Sequence, residues 1–141
     1  MTALPDVNVL LAVAWPNHQH HAAAVAWFES ATDSGWATCA LTELGFVRIS
    51  ANPSFTRQPA SAASAIEVLS QLRKVGKHRY WNELPGADTL RGVALAGHQQ
   101  VTDAYLLKLA ESKRGLLVTF DRALQMNSNR SKHVRLLSPQ P

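Results

Sequence analysis

Residues 99–124 read QQVTDAYLLKLAESKRGLLVTFDRAL, and the fold class follows from this stretch. Its first half repeats with helical period. Ala104, Leu106, Leu107, Leu109 and Ala110 supply an apolar side, while Lys108, Glu111, Ser112, Lys113 and Arg114 fall mostly outside it. Gly115 is expected to end the helix in the left-handed conformation, where it meets no Cβ clash. Leu116, Leu117 and Val118 then form a short apolar run, as a strand buried on both faces would. In a parallel sheet of such strands, ligands sit beyond the carboxyl ends and against helix N-termini. Asp103 opens the helix and Asp121 closes the strand, so both belong to the same rim.

Working outward, the same alternation of short strand and helix recurs along the chain. A very short strand begins at Ala3, with Asp6 at or just past its end, and Val7 to Ala14 turn into a buried helix. Trp15-Pro16-Asn17 breaks it, and residues 18–31 read as a second helix with Ala22, Val25, Ala26, Phe28 and Ala31 toward the core. Trp36 to Cys39 form a strand that enters a helix at residues 40–47, with Thr42 or Ser50 as capping candidates and Glu43 as the first-turn acid. Residues 61–75 are a strong helix with Ala65, Ile66, Leu69 and Leu72 at helical spacing, followed by a strand at residues 77–81. Asp88-Thr89-Leu90 starts a weaker helical turn, residues 128–131 form a loop, and residues 134–137 a last strand. The alternation predicts a single α/β domain over residues 1–141, a three-layer α/β/α sandwich with a mostly parallel central sheet.

Composition narrows the class. At 141 residues, 46% apolar and 17% charged, the chain is long enough for a core and too apolar to be disordered. The apolar run from Val9 to Trp15 is too short to cross a bilayer, and the first residues lack the basic start of a secretory signal. Cys39 is alone, which excludes an intrachain disulfide, suits a reducing cytoplasm, and reads as a small buried hydrophobe rather than a nucleophile. Fourteen Lys and Arg against ten Asp and Glu leave a net charge of +4. With four acids gathered in one site, the rest of the surface is more basic still, an arrangement suited to a polyanionic substrate with metal ions between it and the pocket.

Four acids share one type of position: Asp6, Glu43, Asp103 and Asp121 each fall just after a strand or in the first turn of a helix. A single acid at a helix start is ordinarily a cap. Four at one rim repel one another and raise one another's pKa values, a tension that hard cations such as Mg²⁺ or Mn²⁺ relieve. A metal so held activates water and stabilises charge on a phosphoryl oxygen.

These residues also carry a resemblance. Asp6-Val-Asn8-Val-Leu-Leu resembles the opening of PIN-domain nucleases. Thr42-Glu43-Leu44, Thr102-Asp103-Ala104-Tyr105-Leu106 and Thr119-Phe120-Asp121 resemble that family's three later acidic motifs, in the same order and at similar separations. The match spans essentially the whole chain, and a small single-domain protein of this kind resembles the VapC-type toxins of bacterial toxin–antitoxin pairs. The resemblance implies a Mg²⁺- or Mn²⁺-dependent endoribonuclease, usually dimeric, held inactive by a cognate antitoxin. It implies Asp6 and Asp103 as principal metal ligands, with Glu43 and Asp121 completing the catalytic site directly or through water. Asn8 and Thr119 match positions that support such a site by hydrogen bonds.

Residues 52–99 match no motif and are where substrate choice is expected to reside, with Arg73, Lys74, Lys77 and Arg79 for phosphates and Tyr80 and Trp81 for stacking. A solvated helix end explains the same basic cluster equally well. His18, His20 and His21 lack the further ligands of a zinc site and read as exposed residues at a helix start, near substrate. Asp6-Val-Asn8 faintly resembles the nucleophile motif of haloacid-dehalogenase-like phosphatases, but Asn8 replaces the second acid and the chain is short for that fold. A receiver domain would need paired acids after the first strand, and Asp6 has no acidic neighbour. The remaining rival is a catalytically inactive domain that only binds RNA or a partner. Retention of all four acids argues against it.

Overall fold

The computed structural model describes residues 1–127 and 132–138. Among the described residues five strands form one sheet: β1 (Ala3–Pro5), β2 (Trp36–Cys39), β3 (His78–Trp81), β4 (Leu116–Thr119) and β5 (Val134–Leu136). Every pairing is parallel and the order is β3-β2-β1-β4-β5. Ala3 faces Trp36 on one side and Leu116 on the other, which makes β1 the centre of the sheet.

Side chains alternate across the sheet, and each face has its own core. Ala3, Trp36 and Val118 point to one face, where they meet α1 (Val7–Ala14), α2 (His21–Ala31), α3 (Ala40–Ser50) and α4 (Ala62–Leu72) through Val9, Leu10, Trp27, Phe28, Phe46 and Leu69. Leu4, Ala37, Cys39 and Leu117 point to the other, against Leu106, Leu107, Leu109 and Ala110 of α5 (Val101–Ser112) and Leu124 of α6 (Arg122–Asn127). Two helical layers enclosing a fully parallel sheet complete the expected α/β/α sandwich. Cys39 is a buried member of this second core, as expected.

Local expectations gave way at several places. The second helix starts at His21, because His18 closes a turn first: its ring Nδ1 accepts the His20 N–H at 3.0 Å and its carbonyl accepts the His21 N–H. Its core face is Ala23, Ala24, Trp27 and Phe28, while Ala22 and Ala26 are exposed. In a helix so rich in alanine, the bulk of Trp27 and Phe28 selects the buried face. Ile66 is likewise 54% exposed, with Ala65 and Leu69 carrying the α4 contact. Thr42 takes part in capping as the third residue of a capping box rather than as the N-cap itself, and Ser50 is not a cap. Cys39 holds the N-cap position of α3, where Thr42 Oγ1 accepts the Cys39 N–H at 3.0 Å, and Ser50 Oγ instead accepts the Trp15 indole N–H at 2.9 Å.

The end of α5 is a further correction. Arg114, not Gly115, adopts the positive φ (54°), and the Gly115 N–H closes the turn onto the Ala110 carbonyl at 2.7 Å. Gly115 is needed for space: a Cβ there would lie 2.7 Å from the Thr2 carbonyl oxygen and 2.9 Å from Trp81 Cη2. Trp81, expected to stack on substrate, is buried in this contact. The loop at residues 128–131 lies outside the described residues. Among the described residues no helix is long and apolar enough to cross a membrane.

Candidate active site

In a sheet ordered 3-2-1-4-5, chain connections leave β1 in one direction and β4 in the other, so the crevice at their carboxyl ends is the topological switch point. Asp6 directly follows β1, and Phe120-Asp121 directly follow β4. Asp103, in the first turn of α5, reaches the same place. The result is a cleft of about 580 Å³ bordered by Asp6, Asn8, Asp103 and Asp121, with Arg48, His20, Phe55 and Phe120 on its other walls.

Each acid is held by the backbone around it. Asp6 caps α1: its Oδ1 accepts the Val9 N–H at 2.9 Å, in the usual geometry of an N-cap. Asp121 Oδ1 accepts the Ala123 N–H at 2.9 Å and so occupies the same role before α6. Thr119, fully buried at the end of β4, ties the two together, since its Oγ1 accepts the Asp121 N–H at 3.0 Å and its side chain hydrogen-bonds Asp6.

Asn8 is also fixed. The His18 Nδ1 already accepts a backbone N–H, so Nε2 carries the ring proton and donates to Asn8 Oδ1 at 3.0 Å. The Asn8 amide hydrogens are left for the cleft. Burial, reinforced by His20 and His21 nearby, lowers the His18 pKa and keeps this neutral tautomer in place.

Electrostatics make the cleft strained. Asp6 is 6% exposed, and burial is the main cause that pushes its carboxyl up to about 6; the charges of Asp103 and Asp121 add to the rise, while Thr119 and Val9 oppose it. Asp103 is raised by burial and then by Asp121. Among the described residues none of the three carboxylates is in an ion pair. Oxygen donors that repel one another suit a hard divalent cation. Among the described residues, however, no three His, Cys, Asp or Glu side chains are grouped closely enough to clasp a metal alone. The donor set fits an ion that keeps most of its water and takes one or two carboxylates, which is how Mg²⁺ is commonly bound.

Glu43 does not line this cleft. Its Oε2 accepts the Thr38 hydroxyl at 2.5 Å and its Oε1 faces Arg73 at 3.4 Å. With the Thr38 proton committed to Glu43, His78 Nε2 donates to Thr38 Oγ1 at 2.8 Å. Burial, with Arg73 adding to it, holds His78 near 4 and therefore neutral. Arg73 also lies over the Tyr80 ring, 5.2 Å from its centre, so the basic cluster on this side is partly consumed by internal contacts.

Arg48, Phe55 and Phe120 were not singled out in the sequence. Phe120 had a signal, since it stands between Thr119 and Asp121 and must share their rim. Arg48 and Phe55 had none: Arg48 comes to the cleft from the last turn of α3, and Phe55 from the loop that follows it.

A parallel α/β/α sheet with acids gathered at its β1–β4 switch point defines a PIN-like domain. The chain belongs to the PIN domain family, whose profile matches residues 3–127. Within that family it is similar to the VapC ribonucleases of Mycobacterium tuberculosis. It is 46% identical to ribonuclease VapC39 over 128 residues, covering 88% of this chain and 91% of the relative. To ribonuclease VapC38 it is 46% identical over 119 residues, covering 84% of each. The crystal structure of PAE2754 from Pyrobaculum aerophilum shares the fold, with a TM-score of 0.60 at 21% identity over 95% of this chain and 82% of that one.

Proposed function

We propose that this protein is an endoribonuclease of the VapC type, hydrolysing RNA phosphodiester bonds as the toxin of a toxin–antitoxin pair. The reading is carried by the meeting of Asp6, Asp103 and Asp121 in one open cleft, in a chain 46% identical to proteins named ribonuclease. Mg²⁺ or Mn²⁺, held chiefly by Asp6 and Asp103 with Asp121 beside them, would supply a polarised water and offset charge on the phosphoryl oxygens when bound. The protein's own part is positional. Val9 and Thr119 fix the Asp6 carboxylate, Thr119 sets the Asp121 backbone, and the Asn8 amide offers hydrogens to the phosphate or its water. Glu43 acts on this reading through water or through the first turn of α3, because its own oxygens are engaged by Thr38 and Arg73. A cognate antitoxin, a homodimeric state and a cytoplasmic location belong to the same reading.

Purified protein incubated with total RNA in Mg²⁺, Mn²⁺ or EDTA tests it. Discrete fragments are expected with metal, none with EDTA, and none from Asp103→Asn, which keeps the side-chain shape and loses the charge. Wild-type cleavage by that variant removes the role given to Asp103. Expression without an antitoxin is expected to arrest growth in a manner that requires Asp6, and harmless expression of folded protein sinks the toxin assignment.

A further inference from the structure

Beside the acids the cleft is bordered by a run of rings. Phe120 packs partly against the core and meets His20 at 4.7 Å between ring centres; His20 lies 5.8 Å from His18, and His18 lies 6.2 Å from Phe55. Three of these four rings border the acidic cleft. Beyond His18 and Phe55 the surface continues into a second depression of about 230 Å³, which shares Phe55 with the first. Phe55 is 39% exposed and belongs to neither core cluster, so internal packing does not explain it. Arg48 is exposed on the same cleft and, among the described residues, makes no ion pair.

We propose that this track from Phe120 to Phe55, with Arg48 beside it, is the subsite for unpaired RNA bases flanking the scissile phosphate. The inference rests on the nuclease reading of the same cleft and adds how the substrate is gripped. Aromatic faces accept any base by stacking, and a guanidinium accepts a phosphate by paired hydrogen bonds. A base within a duplex has its faces covered by its neighbours, so the track selects loops and single strands. The ring run starts at Phe120, next to Asp121, which brings the stacked bases close to the bond to be cut.

The test is fluorescence polarisation of a labelled single-stranded oligoribonucleotide with Asp103→Asn protein in EDTA, where cleavage is off. His20→Ala, Phe55→Ala and Phe120→Leu are each added to that background, together with Ile66→Ala, an exposed apolar residue outside the cleft. Each of the first three is expected to weaken binding about tenfold, Ile66→Ala to leave it unchanged, and an RNA duplex to compete poorly. Arg48→Ala is expected to weaken binding and flatten its salt dependence. His20→Ala and Phe55→Ala alter surface rings, so they decide the matter even if Phe120→Leu fails to fold. Absence of binding by the parent, unchanged binding by both surface variants, or equal competition by duplex overturns the proposal. Cleavage of total RNA by wild type that His20→Ala leaves untouched would retain the nuclease and remove the subsite. Oligonucleotide binding that needs His20, in a protein that cleaves nothing, would retain the subsite and remove the nuclease.

Discussion

Replacing Asp6 by Asn should make the protein more stable and inactive at once. The Asp6 carboxyl is buried and protonates near 6 in the folded chain, against 3.8 when unperturbed. That displacement corresponds to about 3 kcal/mol of unfavourable charge burial at neutral pH. The sign follows from proton counting. Between pH 4 and 6 the folded chain holds the Asp6 proton and the unfolded chain does not, so wild-type stability falls as pH rises through that window and levels off above it. Asn is neutral at every pH, keeps the oxygen that accepts the Val9 N–H, and fits the same volume. Its amide hydrogens must find acceptors in the cleft, so the expected gain at pH 7.5 is about 1–3 kcal/mol, or roughly 3–10 °C in melting temperature. Near pH 4 the two proteins should be equal. The assay is urea unfolding in EDTA at both pH values, followed by tryptophan fluorescence. A variant no more stable than wild type at pH 7.5, or an advantage that persists undiminished at pH 4, refutes the reasoning. Mn²⁺ should then narrow or reverse the order, because a ligand that binds the folded wild type stabilises it by mass action.

The other expectations can be checked on the same preparations. Gly115→Ala should cost about 1–3 kcal/mol in denaturant unfolding, because its Cβ would press on the Thr2 carbonyl and the Trp81 ring; a loss below about 0.5 kcal/mol would mean that β1 and β4 shift apart freely. Glu43→Gln should lower RNA cleavage less than Asp103→Asn, since its carboxylate is engaged by Thr38 and Arg73 and not by the cleft. Equal loss in both variants would show that Glu43 turns into the cleft when substrate or metal is present. Asp103→Asn itself should bind Mn²⁺ more weakly in calorimetry, and undiminished binding would move the metal to other ligands.

The sequence by itself determined the elements and the candidate acids. Helical spacing in residues 104–110 and the apolar run of Leu116 to Val118 are local patterns, and a strand followed by a helix start leaves its acid at the rim wherever the strand lies in the sheet. Strand order is a long-range matter that no local window contains. Placing β4 beside β1 is what brings Asp121 to Asp6 through Thr119, while β2 on the far side of β1 carries Glu43 toward β3, Thr38 and Arg73. The role of Gly115 had the same origin. Its freedom at positive φ is a property of the residue, but its necessity comes from the Thr2 carbonyl and the Trp81 ring, distant in sequence and in contact only after folding. In the alanine-rich second helix, apolarity on every side left the buried face undecided until Trp27 and Phe28 met the sheet. Local periodicity specifies what a segment is; the packing of distant segments specifies which of its side chains share a site.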